Sequence, residues 1–212
     1  MNLTWLGHAS FLIEDNNGTK IVTDPFDETV GYPLFRGNTD IVSISHEHFD
    51  HNYTALLHDD VKILRNAEEY QEKNITIESF PSFHDEVKGA KRGPNTIFKF
   101  NFENIKICHL GDLGHMLDDE VIDLIGNIDV LLIPVGGNYT IGGEEAALLA
   151  KKINSKITIP MHYKTPQLTF ELDGVETFLT NMKTGERINS NSIMVEDFIE
   201  NDKNKVLILS SI

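Results

Sequence analysis

A short segment rich in histidine and acidic residues is the first place where the sequence suggests chemistry. Three imidazoles and two carboxylates fall within six residues, which read His46-Glu47-His48-Phe49-Asp50-His51. The apolar run 41–45 precedes this segment and predicts a buried strand. A rigid sheet fixes the loop that follows a strand, and such loops often carry functional residues. Because imidazole and carboxylate groups bind zinc, manganese and iron, the segment predicts a metal site.

The spacing within this segment indicates how many metals it could serve. His46 and His48 are two residues apart, so an extended backbone turns their side chains to the same side. Asp50 and His51 follow, where the chain can curl back. A single catalytic metal often has three protein ligands and an open position, so four candidate ligands in six residues favour two adjacent metals. The alternative is a solvated polar turn in which the histidines occur by chance.

Three further candidate ligands lie at the ends of predicted strands. His84 closes an apolar strand that starts at Ile75, and His162 follows a strand predicted for 156–161. Asp112 lies in a glycine-containing bend, 111–114, where the backbone can turn tightly and aim the carboxylate. Its two oxygens could bridge two metals. Each of the three also has an ordinary alternative, as a structural histidine or a turn aspartate.

The order His-x-His-x-Asp-His after a strand resembles the signature of the metallo-β-lactamase-fold hydrolases. The resemblance implies two metals: one held by His46, His48 and His84, a second held by Asp50, His51 and His162, with Asp112 bridging them. Within that superfamily, the segments 111–114, 136–140 and 160–164 resemble the branch that includes ascorbate-6-phosphate lactonase and many uncharacterised hydrolases. Diiron relatives usually have glutamate at the second histidine of the signature, where this chain has His48.

The resemblance also suggests residues around the metals. Asp24 could accept a hydrogen bond from a metal-bound histidine and fix its tautomer, or it could only shape the turn before a proline. His8, Asn138 and Lys164 are predicted substrate contacts, with an ordinary bend residue as the alternative for His8. His115 is the candidate general acid or substrate clamp.

Two other stretches bear on catalysis and substrate. Asp50 is assigned a catalytic role in addition to its role as a ligand. The loop 88–94 carries Lys88, Lys91 and Arg92, the densest positive patch of the chain. A cationic loop beside a metal site would attract an anionic substrate, whereas the simpler interpretation is a solvated loop.

Charge and cysteine content restrict the class of protein. Eighteen lysine and arginine residues against 33 acidic residues give a net charge of −15, which disfavours extended nucleic-acid binding. Cys108 is the only cysteine, so no internal disulfide is possible and a reducing compartment is expected. No apolar run approaches the roughly 18 residues of a membrane span, and the first residues do not read as a signal peptide. We therefore expect a cytoplasmic protein without a membrane partner, and a homo-oligomer is left open.

Strands and helices alternate in two halves, each of which begins with hairpin patterns. Together with the resemblance, this order predicts an α/β (α+β) fold, the four-layer αβ/βα sandwich, as a single domain over residues 1–212. Helices are predicted over 118–125 and 144–153, and a short helix over 67–73. Asp173 and Glu176 are predicted to form an acidic capping pair for a helix that ends near Met182.

These observations predict a hydrolase with two divalent metal ions, zinc being expected first and manganese or iron as alternatives. A hydroxide shared by the metals would attack a small anionic ester, lactone or phosphodiester. Three other functions compete with this one. A nuclease is disfavoured by the charge of −15, an iron-dependent redox protein is disfavoured by His48, and a non-catalytic metal-binding module is disfavoured by the complete ligand set.

Overall fold

The computed structural model describes residues 1–66, 68–199 and 204–211, which include 14 strands and three α-helices. The strands are β1 Asn2–Gly7, β2 Ser10–Glu14, β3 Lys20–Thr23, β4 Ile41–Ser43, β5 Lys62–Leu64, β6 Tyr70–Glu72, β7 Ile75–Phe83, β8 Pro94–Asn101, β9 Lys106–His109, β10 Val130–Pro134, β11 Ile157–Met161, β12 Glu186–Ile188, β13 Ser192–Met194 and β14 Lys205–Leu209. The helices are α1 Asp119–Ile125, α2 Gly143–Ile153 and α3 Glu176–Met182, and short 3₁₀ turns span Glu28–Val30 and Val195–Asp197.

Within the described residues, the strands form two mixed sheets. The six-stranded sheet has the order β13-β1-β2-β3-β4-β5, and the eight-stranded sheet has the order β12-β14-β11-β10-β9-β8-β7-β6. Hairpins make β1–β2–β3 and β6–β7–β8–β9 antiparallel, whereas β3–β4–β5 and β9–β10–β11–β14 run parallel. The carboxyl ends of the parallel strands therefore meet at one edge, which is where the candidate metal ligands follow.

The alternation of side chains along the strands shows how the layers are built. Ile21 and Ile41 pair across β3 and β4 and face the core between the sheets, whereas Val22 and Val42 face the opposite side. There the loop residue Phe35 packs against them, so loops and turns cover the outer face of the six-stranded sheet. On the eight-stranded sheet, α2 packs against β10 and α3.

The ends of α2 explain why this segment is helical. Glu144 and Glu145 lie in its first turn, and Lys151 and Lys152 lie in its last, so the charges oppose the helix dipole at both ends. Asn154 adopts the left-handed conformation and ends the helix. The predicted helices 118–125 and 144–153 are thus confirmed as α1 and α2. None of the helices in the described parts of the chain has the length and apolar character that crossing a bilayer requires.

Two local predictions are wrong. Residues 70–72 form strand β6 instead of a helix over 67–73, because they pair antiparallel with β7 and Lys73 takes a positive φ of 52° at the hairpin turn; Ala67 lies outside the described residues. Asp173 does not cap α3, which follows Val175 without a side-chain cap. Instead, the Asp173 backbone joins two strand ends, since its N–H donates to the Gly136 carbonyl and its carbonyl accepts from Lys164 N–H.

Candidate metal centre

Asp112 is the centre of the site. Its side chain is buried, and the preceding Gly111 has a positive φ of 57°, which glycine adopts without strain. A Cβ at position 111 would lie 2.4 Å from Asn95 Oδ1, so no larger residue fits beside this turn. Four imidazole Nε2 atoms surround Asp112 Oδ2, at 3.1 Å for His162, 3.2 Å for His51, 3.2 Å for His84 and 3.9 Å for His46.

The seven residues suggested by the resemblance lie in two adjoining groups around this carboxylate. In each group the possible ligand atoms lie within 4.8 Å of one another; one group is His46, His48 and His84, and the other is His8, Asp50, His51 and His162. A third set, His46, His51 and Asp112, meets the same limit and joins the two groups. His46 Nε2 and His48 Nδ1 are 3.0 Å apart. The structure therefore brings together every residue of the suggested ligand set and adds His8 to the second group.

These residues fit divalent metal ions. Asp112 Oδ1 is a buried oxygen that has no hydrogen-bond partner among the described residues, although buried polar atoms are normally paired. Four imidazole nitrogens surround the other oxygen of this carboxylate, Oδ2, and such a mixture of nitrogen and carboxylate oxygen suits zinc, manganese and iron. The grouped imidazole nitrogens and carboxylate oxygens are what identify these residues as a candidate metal site.

The electrostatics favour the metal-binding forms of His46 and Asp112. Burial lowers the pKa of His46 to about 2, with a further contribution from His51, so His46 is a neutral imidazole. Burial raises the pKa of Asp112, but the neighbouring His162 and His51 outweigh it and hold that pKa well below its usual value. Neutral imidazole and ionised carboxylate are the forms that coordinate a cation.

Asp24 orients one of the candidate ligands. It has a positive φ of 40°, and its carboxylate accepts hydrogen bonds from Ser45 N–H at 2.7 Å and from Ser45 Oγ at 2.6 Å. It also accepts from His51 Nδ1 at 2.9 Å. This bond fixes the proton of His51 on Nδ1 and directs Nε2 towards Asp112. The turn-only alternative for Asp24 therefore does not describe its contacts.

Asn95 is a supporting residue that the sequence interpretation missed. Its amide donates to Ser82 Oγ and to the Leu110 carbonyl, and its Oδ1 accepts from Asp112 N–H at 2.9 Å. The side chain is buried, so it holds the bend that presents Asp112. The signal available in the sequence was an asparagine at the start of an otherwise mostly apolar strand.

The suggested substrate contacts and general acid occupy other positions. His8 is buried, with Nε2 3.2 Å from Asp50 Oδ2. It lies among the candidate ligands and does not line the cavity that opens onto them, which is described below. Burial lowers its pKa to about 4, so a neutral His8 donates to Asp50. Lys164 Nζ donates to the carbonyls of Leu168 and Phe170 and does not line the pocket.

The side chains of Asn138 and His115 also bond to the backbone. Asn138 Nδ2 donates to the Glu171 carbonyl, and its side chain does not line the pocket. His115 Nε2 accepts from Phe83 N–H at 3.3 Å, and its Nδ1 donates to the Met116 carbonyl at 2.9 Å. Because the backbone uses both ring nitrogens and His115 does not line the pocket, the structure does not support a general-acid role for it.

A cavity of about 290 Å³ opens onto the candidate ligands. Its lining combines metal-site residues with aromatic residues and one arginine: His48, Phe49, Asp50, His84, Arg92, Asp112, Tyr139, His162 and Phe170. Two cavities of similar size lie elsewhere but contain none of the clustered histidines. Of the aromatic residues, Phe170 gave no signal in the sequence, because a single aromatic residue in a loop has no pattern.

Asp85 shapes the loop that brings Arg92 to this cavity. Its carboxylate accepts backbone N–H bonds of 2.7–2.9 Å from Val87, Gly89, Lys91 and Arg92. Although burial raises the pKa of Asp85, these four bonds outweigh it and lower that pKa to about 2. The ionised carboxylate therefore stabilises the loop fully above its ordinary pKa of 3.8, and this stabilisation is lost as pH falls through about 2.

Asp85→Asn is expected to loosen this loop, because an amide can accept only through one oxygen and carries no charge. At pH 7, the amides of residues 87, 89, 91 and 92 should exchange with solvent about tenfold faster or more than in the wild type. Glu86→Gln is the matched control, since Glu86 is exposed and its carboxylate pairs with the side chain of Lys91. Equal protection of these amides in Asp85→Asn and the wild type would contradict this role.

Comparison with known proteins agrees with the geometry. The family profile described as "Beta-lactamase superfamily domain" matches residues 2–162. The chain is 34% identical over 203 residues to the UPF0173 metal-dependent hydrolase of Methanoregula boonei, with 84% of this chain and 89% of the relative covered. It is 31% identical over 188 residues to the UPF0173 metal-dependent hydrolase of Methanoculleus marisnigri, with 78% and 82% covered.

A solved structure from Thermotoga maritima gives the same result in three dimensions. This proposed Zn-dependent hydrolase of the metallo-beta-lactamase superfamily superposes with a TM-score of 0.82 at 39% identity, covering 98% of this chain and 97% of that chain. The predicted αβ/βα sandwich is thereby confirmed. The chain belongs to the beta-lactamase superfamily and, within it, to the UPF0173 metal-dependent hydrolases.

Proposed function

We propose that this metal-dependent hydrolase uses two adjacent divalent ions, zinc first, to hydrolyse a small anionic ester, lactone or phosphodiester. The observation that carries the proposal is the position of Asp112, whose carboxylate lies between two histidine groups with one oxygen unpartnered among the described residues. A single metal would leave one of these groups without a purpose, because each group by itself offers three or more ligand atoms.

The residues divide into those that hold metal and those that hold the ligands. His46, His48 and His84 are assigned to one ion, Asp50, His51 and His162 to the other, and Asp112 to both. Asp24 keeps His51 in the tautomer that can coordinate, and Asn95 holds the Asp112 backbone. His8 donates to Asp50 and keeps its carboxylate turned towards the second group.

Two ions bound here would lower the pKa of coordinated water towards about 7 and polarise a substrate oxygen. The chain itself supplies the proton acceptor. Asp50 lines the cavity with a side chain that is 14% exposed, and it is the site carboxylate most open to substrate and water. Because both ring nitrogens of His115 bond to the backbone, Asp50 is the residue we assign to move a proton during hydrolysis.

Cavity size and charge support a small substrate. The cavity of about 290 Å³ suits a small molecule. A polynucleotide needs a row of cationic side chains, whereas Arg92 is the one cationic side chain in the lining of this cavity. The net charge of −15 acts in the same direction, so neither nucleic acid nor a membrane is a proposed partner. Cys108, the only cysteine, is buried, which supports a reducing, cytoplasmic compartment.

The direct test is hydrolysis by protein that has been stripped of metal and reloaded with zinc, manganese or iron(II). Bis(4-nitrophenyl) phosphate, a 4-nitrophenyl ester with a carboxylate and a carboxylate-bearing lactone represent the three substrate classes. At least one should be cleaved about 10³-fold faster or more by the loaded protein than by the stripped protein. The proposal would be overturned if the protein holds two ions per chain after reloading and cleaves none of the three classes with zinc, with manganese or with iron(II).

A further inference from the structure

We propose that Arg92, Phe49, Tyr139 and Phe170 form a two-part substrate subsite beside the metal centre. Arg92 binds an oxyanion of the substrate, a carboxylate or a phosphate that is not the bond being cleaved. The three aromatic side chains hold an adjoining apolar group. This inference rests on the proposed function, because it names the substrate class of the same site: anionic esters that carry an aromatic or alkyl substituent.

Arg92 has the charge and the free donors that an oxyanion needs. Its guanidinium lies 4.6 Å from the Tyr139 ring centroid, and Nη2 donates to the Asn138 carbonyl at 3.3 Å. Among the described residues, no carboxylate lies within 4.0 Å of this guanidinium, whereas its loop neighbour Lys91 is paired with Glu86. The remaining N–H groups of the planar fork can bind a carboxylate or phosphate through two parallel bonds.

The aromatic side chains form the apolar part of the cavity. Phe49 is 52% exposed and Tyr139 is 40% exposed, although both are large apolar or amphipathic groups. The ring of Phe170 meets that of Phe49 edge-on, with centroids 5.9 Å apart, and it also meets the ring of His8 edge-on at 5.7 Å. Exposed aromatic rings that converge on one concave surface indicate a contact area for a ligand.

The protein holds both parts of the subsite in place. Asp85 fixes the loop of Arg92 through its backbone hydrogen bonds. Lys164 fixes the segment of Phe170 by donating to its carbonyl at 2.6 Å, and Asn138 fixes the same segment through the Glu171 carbonyl. The backbone that carries Arg92 and Phe170 therefore needs little ordering when a ligand arrives, which favours binding.

The position of the subsite defines the substrate. Arg92 and the aromatic residues share one cavity with Asp50 and Asp112, so a molecule held at the subsite presents a neighbouring bond to the metal centre. The single guanidinium can bind one extra oxyanion, and the aromatic side chains can pack against a ring or a short alkyl chain. An uncharged ester or a purely polar sugar phosphate would use only part of these contacts.

Binding of small probes tests the subsite without relying on catalysis. Phenylphosphonate carries both the anion and the ring, methylphosphonate lacks the ring, and benzyl alcohol lacks the anion. Phenylacetate replaces the phosphonate by a carboxylate and thereby separates the two sources of the oxyanion. Dissociation constants are measured by calorimetry on both metal-depleted and zinc-loaded protein, because the metals also attract phosphonate.

Arg92→Gln should weaken phenylphosphonate binding by about 10- to 100-fold in both forms of the protein, since charged hydrogen bonds are lost. Lys91→Gln, on the same loop but already paired with Glu86, should stay within about threefold of the wild type. Methylphosphonate should bind the wild type about tenfold more weakly than phenylphosphonate, and Phe170→Ala should reduce this difference. Thermal melting of each variant checks that the fold is intact.

The outcomes separate this inference from the proposed function. Equal phenylphosphonate affinity of Arg92→Gln and the wild type in both metal states would overturn the subsite, and so would equal affinity for the phenyl and methyl probes. If the predicted binding pattern appears but the zinc-loaded protein cleaves no ester, the subsite stands and the hydrolase proposal fails. If esters are cleaved and the binding pattern is absent, the hydrolase stands and the subsite fails.

Discussion

Asp112→Ala is expected to lose both the second metal and the activity. The carboxylate contacts both histidine groups, so the substitution removes the residue that we assign to join the two ions. We expect the metal content to fall from about two ions per chain to one or fewer, and hydrolysis to fall by about 10³-fold or more. Elemental analysis and the rate with the best substrate of the panel are the two measurements.

Two further variants make this result interpretable. Asp123→Ala removes an exposed carboxylate of α1 and should leave metal content and rate unchanged. Asp112→Asn keeps the size of the side chain but removes its charge, so it should fold and still lose metal. Retention of two ions and a rate within about tenfold of the wild type in Asp112→Asn and Asp112→Ala would contradict the bridging role.

Asp24→Asn is expected to weaken metal binding without any contact to the metal. Its carboxylate accepts from His51 Nδ1, and an amide group there would lose the charge that holds this proton. Replacement of a residue that orients a ligand typically lowers metal affinity by about 10- to 100-fold. Asparagine tolerates the positive φ of 40° at this position, so the substitution changes the charge more than the backbone.

Asp24→Ala adds a stability effect to this loss of affinity. The buried Ser45 hydroxyl, the Ser45 backbone N–H and His51 Nδ1 would all lose their acceptor. Removing one partner of a buried pair such as Asp24–His51 costs roughly 3–5 kcal/mol of folding free energy. Competition with a chelator reports metal affinity, and urea unfolding of metal-free protein reports stability. Asp59→Asn, an exposed residue, is the control. Wild-type metal affinity in Asp24→Asn would show that Asp24 only shapes the turn.

The sequence predicted the fold and the grouping of the candidate ligands for identifiable reasons. Apolar strands such as β10 carry a strong pattern in the sequence. The candidate ligands follow predicted strands, and a parallel sheet brings the ends of its strands to one edge. His84 and Asp112 are 28 residues apart in the chain, yet their Nε2 and Oδ2 atoms lie 3.2 Å apart. Their roles as ligands stay a prediction until metal is measured.

Residues in loops could not be placed by the same reasoning. His115 and Lys164 are chemically suitable for catalysis or substrate binding, but backbone carbonyls and a backbone N–H group occupy their polar atoms. Such bonds depend on the loop conformation, which has no periodic signal. Strand β6 was missed because its three residues are too few for a pattern, and pairing with β7 decides their conformation.

The most direct test of the two-metal account is a crystal structure of zinc-loaded protein with anomalous scattering data collected at the zinc edge. We expect two anomalous peaks about 3.5–4 Å apart, one among His46, His48 and His84, the other among Asp50, His51 and His162, with Asp112 between them. A single peak at full zinc loading, or two peaks that do not share Asp112, would contradict the central claim.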